Sequence, residues 1–188
     1  MTKIILFNKP YGVICQFSPN PPHPTLKEYI QLAGVYPAGR LDTDSEGLLI
    51  LTNDGKLQAL ISEPKYKKYK TYWVQVEGIP SEEQLAQLRA GVDLGDFISA
   101  PARVRLIAEP QNLWERTPPI RERKNIPTSW LELAICEGKN RQVRRMTARV
   151  GLPTLRLIRA AIGGVKLADL TPGKWCEISS AEFMQQFN

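Results

Sequence analysis

The sequence predicts an α+β protein in which a mixed, largely antiparallel sheet carries flanking helices around a central cleft. Residues 47–52 form an almost wholly apolar run between turn residues, too short for a helix and typical of a buried strand. Residues 71–77 alternate, with Tyr72, Val74 and Val76 on one side, as in a strand that buries one face. Capping signals predict helices, most clearly over 56–63, 81–91 and 141–150.

The other elements follow from the same signals. Thr25 and Glu28 match the capping box of a short helix that ends near Gly34, and a hairpin is expected at 93–96. The proline-rich stretch 109–128 is expected to be irregular, and a loop of this length is either functional or disordered. Further strands are predicted at 3–7, 13–17, 102–108, 131–135, 155–158 and 175–178, and a last helix at 180–187.

Length and charge limit the class of protein. The 188 residues suffice for one domain or two closely fused subdomains, and we interpret 1–188 as a single domain and a monomer. The net charge of +6 makes nucleic acid an expected partner if the basic residues cluster. The sequence shows neither a signal peptide nor an apolar run of the roughly 18 residues that a membrane helix needs, so we expect a cytoplasmic protein without membrane contact.

Several absences narrow the chemistry. Cys15, Cys136 and Cys176 are far apart and outside any zinc-binding spacing, so we expect reduced, mostly buried thiols. The only histidine, His23, lies among prolines, which weakens every histidine-based mechanism. Neither of the common glycine-rich phosphate-binding motifs is present, so a nucleotide cofactor is not indicated. An enzyme with this sequence would work with carboxylate, tyrosine and arginine side chains.

The stretch from Gly39 to Gly55, GRLDTDSEGLLILTNDG, presents Asp42 just before the predicted buried strand. A loop that carries a reactive group and a packed strand that fixes the loop are a common arrangement in active sites. Two alternatives remain open at this point. Thr43 and Glu46 also match a capping box, and aspartate is frequent in turns because of local hydrogen bonds.

A basic stretch, Lys65-Tyr66-Lys67-Lys68-Tyr69-Lys70, is expected to form a loop. Such a charge run can be a solvated surface. The interleaved tyrosines favour RNA, because their rings can stack on bases while the lysines meet phosphates. Tyr72 follows on the inward face of the next strand, where a core tyrosine with a satisfied hydroxyl is the ordinary interpretation.

The second basic region is the predicted helix after Glu137-Gly138-Lys139. Val143, Met146, Thr147 and Val150 share its buried face at about 100° per residue. Arg141, Arg145 and Arg149 form a stripe on the opposite face. Unpaired like charges at this spacing are unfavourable, so the stripe suggests an external anion. Arg144 lies at the border of the buried face and could turn inward to a carboxylate.

These motifs together resemble the pseudouridine synthases of the RsuA branch, over nearly the whole chain and in the same order. Residues 119–130 are most similar to members that act on large-subunit ribosomal RNA. Many members carry an N-terminal S4-type RNA-binding module, whereas this sequence begins directly on the catalytic domain, so RNA recognition is expected from its basic loops and arginine helix. The motifs are 8–12, 39–42, 47–55, 70–72, 137–146 and 167–173.

The resemblance implies an isomerase that converts a uridine of large-subunit (23S) ribosomal RNA, naked or in an assembly intermediate, to pseudouridine without metal or cofactor. The invariant aspartate of the family corresponds to Asp42, its active-site tyrosine to Tyr72 and the basic partner of the aspartate to Arg144. An apolar wall residue corresponds to Leu167 or Leu170. The expected RNA-binding residues are Arg40, Lys65, Lys67, Lys68, Lys70, Lys139, Arg141, Arg145, Arg149, Leu167 and Leu170.

Two other functions fit parts of the sequence. A non-catalytic RNA-binding or ribosome-assembly protein would use the same basic surface and be indifferent to Asp42. A carboxylate glycoside hydrolase would need a second acid roughly 5–10 Å from Asp42 on the other side of the sugar. Asp44 is only two residues away, so these two carboxylates could not easily flank one bond.

Overall fold

The computed structural model describes all 188 residues, which divide into two compact units. The first unit comprises residues 1–68 and 159–188, and the second comprises residues 69–158. The strands are β1 (Ile4–Lys9), β2 (Tyr36–Ala38), β3 (Glu46–Thr52), β4 (Lys70–Glu77), β5 (Arg103–Ile107), β6 (Thr128–Ile135), β7 (Thr154–Ile162), β8 (Val165–Lys166) and β9 (Trp175–Ile178). The helices are α1 (Gly55–Ser62), α2 (Glu82–Ala90), α3 (Gln142–Arg149) and α4 (Ser180–Phe187).

In the first unit the strand order is β7-β3-β1-β9, with β2 also on β3 and β8 on β7. β1 pairs antiparallel with β3 from Ile4 opposite Thr52 to Lys9 opposite Gly47. Every residue of β1 and β3 is buried, which is why these runs are apolar without alternation. α1 follows β3 directly, because the Asp54 side chain caps it by accepting from the Lys56 N–H at 2.9 Å.

In the second unit the strand order is β5-β6-β4-β7. β4 and β6 pair antiparallel along their whole length, and Tyr72, Val74 and Val76 bury one face, as their alternation predicted. α2 begins at a reciprocal capping box between Ser81 and Gln84. α2 and α3 pack on the buried face of the sheet through Leu85, Leu88, Val143 and Met146.

The α+β prediction is confirmed, and two local predictions are wrong. Residues 13–17 form no strand, since only Ile14 makes an isolated bridge, to Thr25. The capping box at Thr25 and Glu28 is present, but the helix is a single 3₁₀ turn, Leu26–Glu28. The backbone of Ile14 and Gln16 hydrogen-bonds to Pro24 and Leu26, and this pairing does not extend because the 3₁₀ turn begins at Leu26.

The structure also bears on the predictions for the cysteines and for membrane-spanning helices. The three cysteines are free; Cys15 is buried, but Cys176 is exposed, so the prediction of mostly buried thiols is wrong there. No helix combines the length and hydropathy needed to cross a bilayer.

Candidate active site

Asp42 lies in the loop that joins β2 to β3, in the first unit. The Ser45 N–H donates to the Asp42 carbonyl oxygen at 3.0 Å, which closes a turn, and the chain then enters β3 at Glu46. No helix begins here, so the capping-box alternative is wrong and the loop before a buried strand is confirmed. The Asp42 side chain is half-buried.

A buried lysine supports this loop from the end of β1. The Lys9 ammonium donates to the carbonyl oxygens of Pro10 at 2.9 Å, Val13 at 2.8 Å and Thr43 at 3.4 Å. The Gly12 N–H donates to the same Thr43 oxygen at 2.8 Å. The backbone immediately after Asp42 is therefore held by two donors from one turn.

The surroundings of Lys9 have two opposing effects on the pKa of its ammonium group. Burial lowers the pKa of its ammonium from 10.5 to about 8, because the charged form loses its hydration. Cys15, and then the carboxylates of Glu46, Asp44 and Asp42, oppose that shift. Lys9 is thus a buried cation whose charge is favoured by the acids between Asp42 and Glu46.

Arg159 of β7 fixes the loop from the other side. Its guanidinium, 3% exposed, donates from Nε to the Leu48 carbonyl oxygen at 2.9 Å and from Nη2 to the Gly39 carbonyl oxygen at 3.1 Å. At Gly47 a Cβ atom would lie 2.3 Å from the Arg159 carbonyl oxygen, and the φ angle is +108°. Only glycine permits this close approach of β3 and β7.

The residues just before Asp42 are also anchored. Leu41 is buried in the core of the first unit, and its N–H donates to the Cys15 sulfur at 3.4 Å. Arg40 is exposed, and its Nη2 donates to the Cys15 carbonyl oxygen at 3.5 Å. The loop is therefore fixed on both sides of Asp42, which limits the conformational freedom of its carboxylate.

Tyr72 and Arg144 belong to the second unit. Tyr72, 9% exposed, shares a hydrophobic cluster with Val143 and Met146 of α3, so β4 and α3 meet at this point. Arg144 lies between those two helical residues in sequence and is half-buried, as its position at the border of the buried face predicted. Of the three predicted catalytic residues, Asp42 belongs to the first unit and the other two to the second.

The predicted arginine stripe differs from expectation. Arg141 precedes α3 as its N-cap, in the left-handed conformation with a φ of 54°. Arg145 makes an ion pair with Asp96, with Nη1 donating to Oδ2 at 3.2 Å, and its guanidinium carbon lies 5.5 Å from the centre of the Phe97 ring. The prediction of an unpaired stripe is therefore wrong at Arg145, while Arg149 is exposed.

Lys139, also a predicted RNA contact, is exposed near the same ring. Its Nζ lies 4.9 Å from the centre of Phe97, in a cation–π geometry. The Lys139 N–H donates to Gln142 Oε1 at 3.2 Å, and Gln142 Nε2 donates to Glu137 Oε1 at 3.0 Å. The buried Gln142 side chain thus orders the loop that leads into α3.

The basic stretch 65–70 divides into exposed and buried parts. Lys65 and Lys67 are exposed and Lys68 is half-buried, with its Nζ 4.8 Å from the centre of the Phe187 ring. Lys65 pairs with Glu63 at 3.1 Å, which raises the pKa of the lysine. Lys70 was predicted in the loop, but it is the first residue of β4 and is buried, because it pairs with Ile135 inside the sheet.

The two alternatives for the apolar wall residue differ in exposure. Leu167 is 4% exposed and its N–H donates to the Ala160 carbonyl oxygen at 2.9 Å. Leu170 is half-buried, and its carbonyl oxygen accepts from Asn8 Nδ2 at 2.8 Å. Leu170 therefore has more side-chain surface available to a ligand than Leu167.

Sequence reasoning assigned no role to Lys9 or Arg159, which together hold the loop of Asp42. A signal for Arg159 was present, since it interrupts the apolar run Leu157–Ile162, and a charge in such a run needs buried partners. Lys9 lies in the turn motif 8–12, where nothing local distinguishes a buried lysine from a solvated one.

The described side chains offer polar groups for acid–base and nucleophilic chemistry. No group of three or more His, Cys, Asp or Glu side chains is arranged to hold a metal ion. A half-buried carboxylate on a fixed loop, in the first unit, can serve as a nucleophile. A buried phenol beside a basic helix, in the second unit, can pack against an aromatic ring.

Comparison with known proteins defines the class. The family model of RNA pseudouridylate synthases matches residues 3–149. A solved structure described as a pseudouridylate synthase superposes with a TM-score of 0.82 at 27% identity, covering 100% of this chain and 74% of the other. The chain therefore belongs to the RNA pseudouridylate synthase family, and the predicted isomerase and its catalytic fold are confirmed.

Two relatives share more than half of their aligned residues with this chain. The ribosomal large subunit pseudouridine synthase E of Vibrio vulnificus is 59% identical over 177 residues, which is 94% of this chain and 75% of the relative. The protein of the same name from Xanthomonas campestris is 56% identical over 174 residues, which is 92% of this chain and 93% of the relative.

Proposed function

We propose that this protein converts one specific uridine of large-subunit ribosomal RNA to pseudouridine in the cytoplasm, acting as a monomer. The observation that carries the proposal is the 59% identity to a relative named for this activity, over 94% of the chain. In the reaction the bond between N1 of uracil and C1′ of ribose breaks and a bond from C5 to C1′ forms. N1 gains a proton and C5 loses one, so atoms balance without an added reactant.

Asp42 is the proposed nucleophile. A carboxylate that attacks must be ionised and must have little freedom, and the fixed loop supports the second requirement. The buried Lys9 ammonium contributes to it by donating to the carbonyl oxygen of Thr43, the next residue, at 3.4 Å. Whether Asp42 attacks the ribose carbon or the uracil ring, the same ionised oxygen is required.

Tyr72 and Arg144 are the proposed partners of Asp42. An arginine within about 4–6 Å of a carboxylate favours its ionised form, which is the role proposed for Arg144. A phenol ring can stack on uracil, and its oxygen, as the phenolate, can take the proton from C5, which is the role proposed for Tyr72. The shared packing of β4 and α3 supports this assignment, because it fixes both residues in one unit.

RNA binding is assigned to the exposed basic residues. The target uridine must leave its stack, at a cost of a few kcal/mol that phosphate contacts can offset. Six of the predicted RNA-binding residues are exposed and suited to such contacts, namely Arg40, Lys65, Lys67, Lys139, Arg141 and Arg149. The buried Lys70 is better suited to a structural role.

The decisive experiment maps pseudouridines in large-subunit RNA from cells with and without this protein. We expect one position to lose its modification and to regain it when the purified protein acts on that RNA in vitro. The same assay on naked RNA and on assembly intermediates distinguishes the two substrates. An unchanged modification map, with no activity of the purified protein on either RNA, would contradict the proposal.

A further inference from the structure

The first unit carries an aromatic side chain that the proposed chemistry does not use. Tyr36 of β2 is 60% exposed, and it and Tyr66 are the two exposed aromatic residues of the chain. A ring this exposed gains little from burial in the fold, and an aromatic ring that remains in water is available to a ligand.

Tyr36 is not a free side chain, because Phe17 fixes its orientation. The two ring centres are 6.4 Å apart and the ring planes meet at 86°, an edge-to-face arrangement. Phe17 itself packs against the core of the first unit. The result is a ring with a defined direction and much of its surface open, which costs little entropy to order in a complex.

The two aromatic residues lie close in sequence and in contacts to the loop that carries Asp42. The chain runs from Tyr36 through Arg40 to Asp42, so the Cα atoms of Tyr36 and Asp42 lie within about 20 Å of each other at roughly 3.3 Å per residue. Residues 15–17 contact the same segment. Cys15 accepts hydrogen bonds from Arg40 and Leu41, and the Phe17 ring packs against that of Tyr36. Arg40, which is exposed, therefore lies between Tyr36 and Asp42 in the sequence.

We propose that Tyr36, oriented by Phe17, is a stacking platform for an unpaired base of the substrate RNA, a few nucleotides from the target uridine, with Arg40 on the intervening phosphate. This inference rests on the proposed function. An open ring and an arginine in sequence beside a fixed reactive loop match single-stranded RNA, whose bases stack on aromatic faces while its phosphates meet cations.

The test uses the full chain and an RNA fragment that contains the mapped uridine. Tyr36→Leu keeps apolar surface and removes the ring, Tyr36→Trp keeps a larger ring, and Ile79→Ala removes another exposed apolar side chain as a control. We expect Tyr36→Leu to raise the Kd about 5- to 150-fold, the range given by loss of one base stack. Tyr36→Trp and Ile79→Ala should bind like the wild type.

Two further measurements assign the ligand. 2-Aminopurine, placed at successive positions beside the target uridine, should be quenched at one position by the wild type and not by Tyr36→Leu. Tyr36→Leu should leave the salt dependence of binding unchanged, whereas Arg40→Gln should reduce its slope, because only the arginine meets a phosphate. A midpoint of thermal unfolding equal to that of the wild type would show that Tyr36→Leu is folded.

Wild-type affinity of Tyr36→Leu for the RNA, with the fluorescence quenching retained, would overturn the platform. So would a loss of affinity confined to a ribosome assembly intermediate, since that would place a protein on Tyr36. Either result is separate from failure of the proposed function, which would be seen as absence of pseudouridine with the wild-type protein.

Discussion

The Lys9 ammonium donates a hydrogen bond to the carbonyl oxygen of Thr43 at 3.4 Å, which places a buried cation against the residue that follows Asp42. Two other carbonyl oxygens, of Pro10 and Val13, complete its contacts. A charge this deeply buried is unfavourable unless it is fully hydrogen-bonded, so the geometry of the loop and the protonation of Lys9 are coupled.

The first prediction concerns stability against pH. The pKa of Lys9 is lowered in the fold from 10.5 to about 8, so between these values the unfolded chain binds more protons than the folded one. Stability due to Lys9 therefore rises with pH across this window, by about 3 kcal/mol in total. We expect the free energy of unfolding of the wild type to rise relative to that of Lys9→Met from pH 8 to 10.5.

Urea unfolding of both proteins at several pH values measures this difference. Lys56→Met, which changes an exposed lysine, serves as the control and should follow the wild type. Parallel curves for wild type and Lys9→Met would show that Lys9 titrates in the fold as it does in the unfolded chain.

The second prediction concerns the close approach at Gly47. Gly47→Ala should destabilise the protein by roughly 3 kcal/mol or more, since the added Cβ meets the Arg159 backbone and the φ angle is unfavourable for alanine. Gly34→Ala is the matched control, because its φ is +84° and its Cβ would meet nothing within 4 Å. It should cost only about 1–2 kcal/mol of backbone strain. Equal losses for both variants in urea unfolding would remove the steric explanation.

The third prediction concerns RNA affinity against salt. Arg141→Gln and Arg149→Gln should each reduce the slope of log K against log salt by about 0.7–0.9, the value for one phosphate contact. Arg145→Gln should change the slope less, because Asp96 already neutralises that guanidinium. Filter binding at several salt concentrations measures all three. Unchanged slopes for Arg141→Gln and Arg149→Gln would exclude both residues from phosphate contacts.

Much of the fold could be predicted from the sequence because local signals and packing agree. The apolar run 47–52, the alternation at Tyr72 and the capping signals at Ser81 and at Asn53 or Asp54 each predicted the element that is present. Prediction failed at 13–17 and after Glu28, where apolar residues pack on the core without regular backbone pairing. Such segments have no periodicity that distinguishes them from strands or helices.

The local structure at Asp42 and Tyr72 could be predicted, as a loop before a buried strand and an inward-facing strand residue, but the long-range contacts that support the Asp42 loop could not. The role of Arg159 depends on carbonyl oxygens of Leu48 and Gly39, more than a hundred residues away in sequence. The ion pair of Arg145 depends likewise on Asp96, in a distant hairpin. Long-range partners of this kind carry no local signal, so a stripe of arginines looks unpaired in the sequence.

The fourth prediction separates the two proposed roles of Tyr72. Tyr72→Phe keeps the ring and its packing but removes the hydroxyl, so it should lower kcat about 10²- to 10⁴-fold and leave KM nearly unchanged. Tyr72→Leu should raise KM as well, because it also removes the ring that stacks on uracil. Steady-state assays of pseudouridine formation measure both. Wild-type kcat for Tyr72→Phe would show that another group takes the C5 proton.

The most direct test of the central claim is the single-turnover rate of pseudouridine formation by Asp42→Asn on unmodified large-subunit RNA. The substitution keeps the size of the side chain and removes its charge, and Asp44→Asn is the matched control on the same loop. We expect Asp42→Asn to bind the RNA like the wild type and form no detectable pseudouridine, while Asp44→Asn stays active. Pseudouridine formation by Asp42→Asn at a rate near that of the wild type would contradict the account.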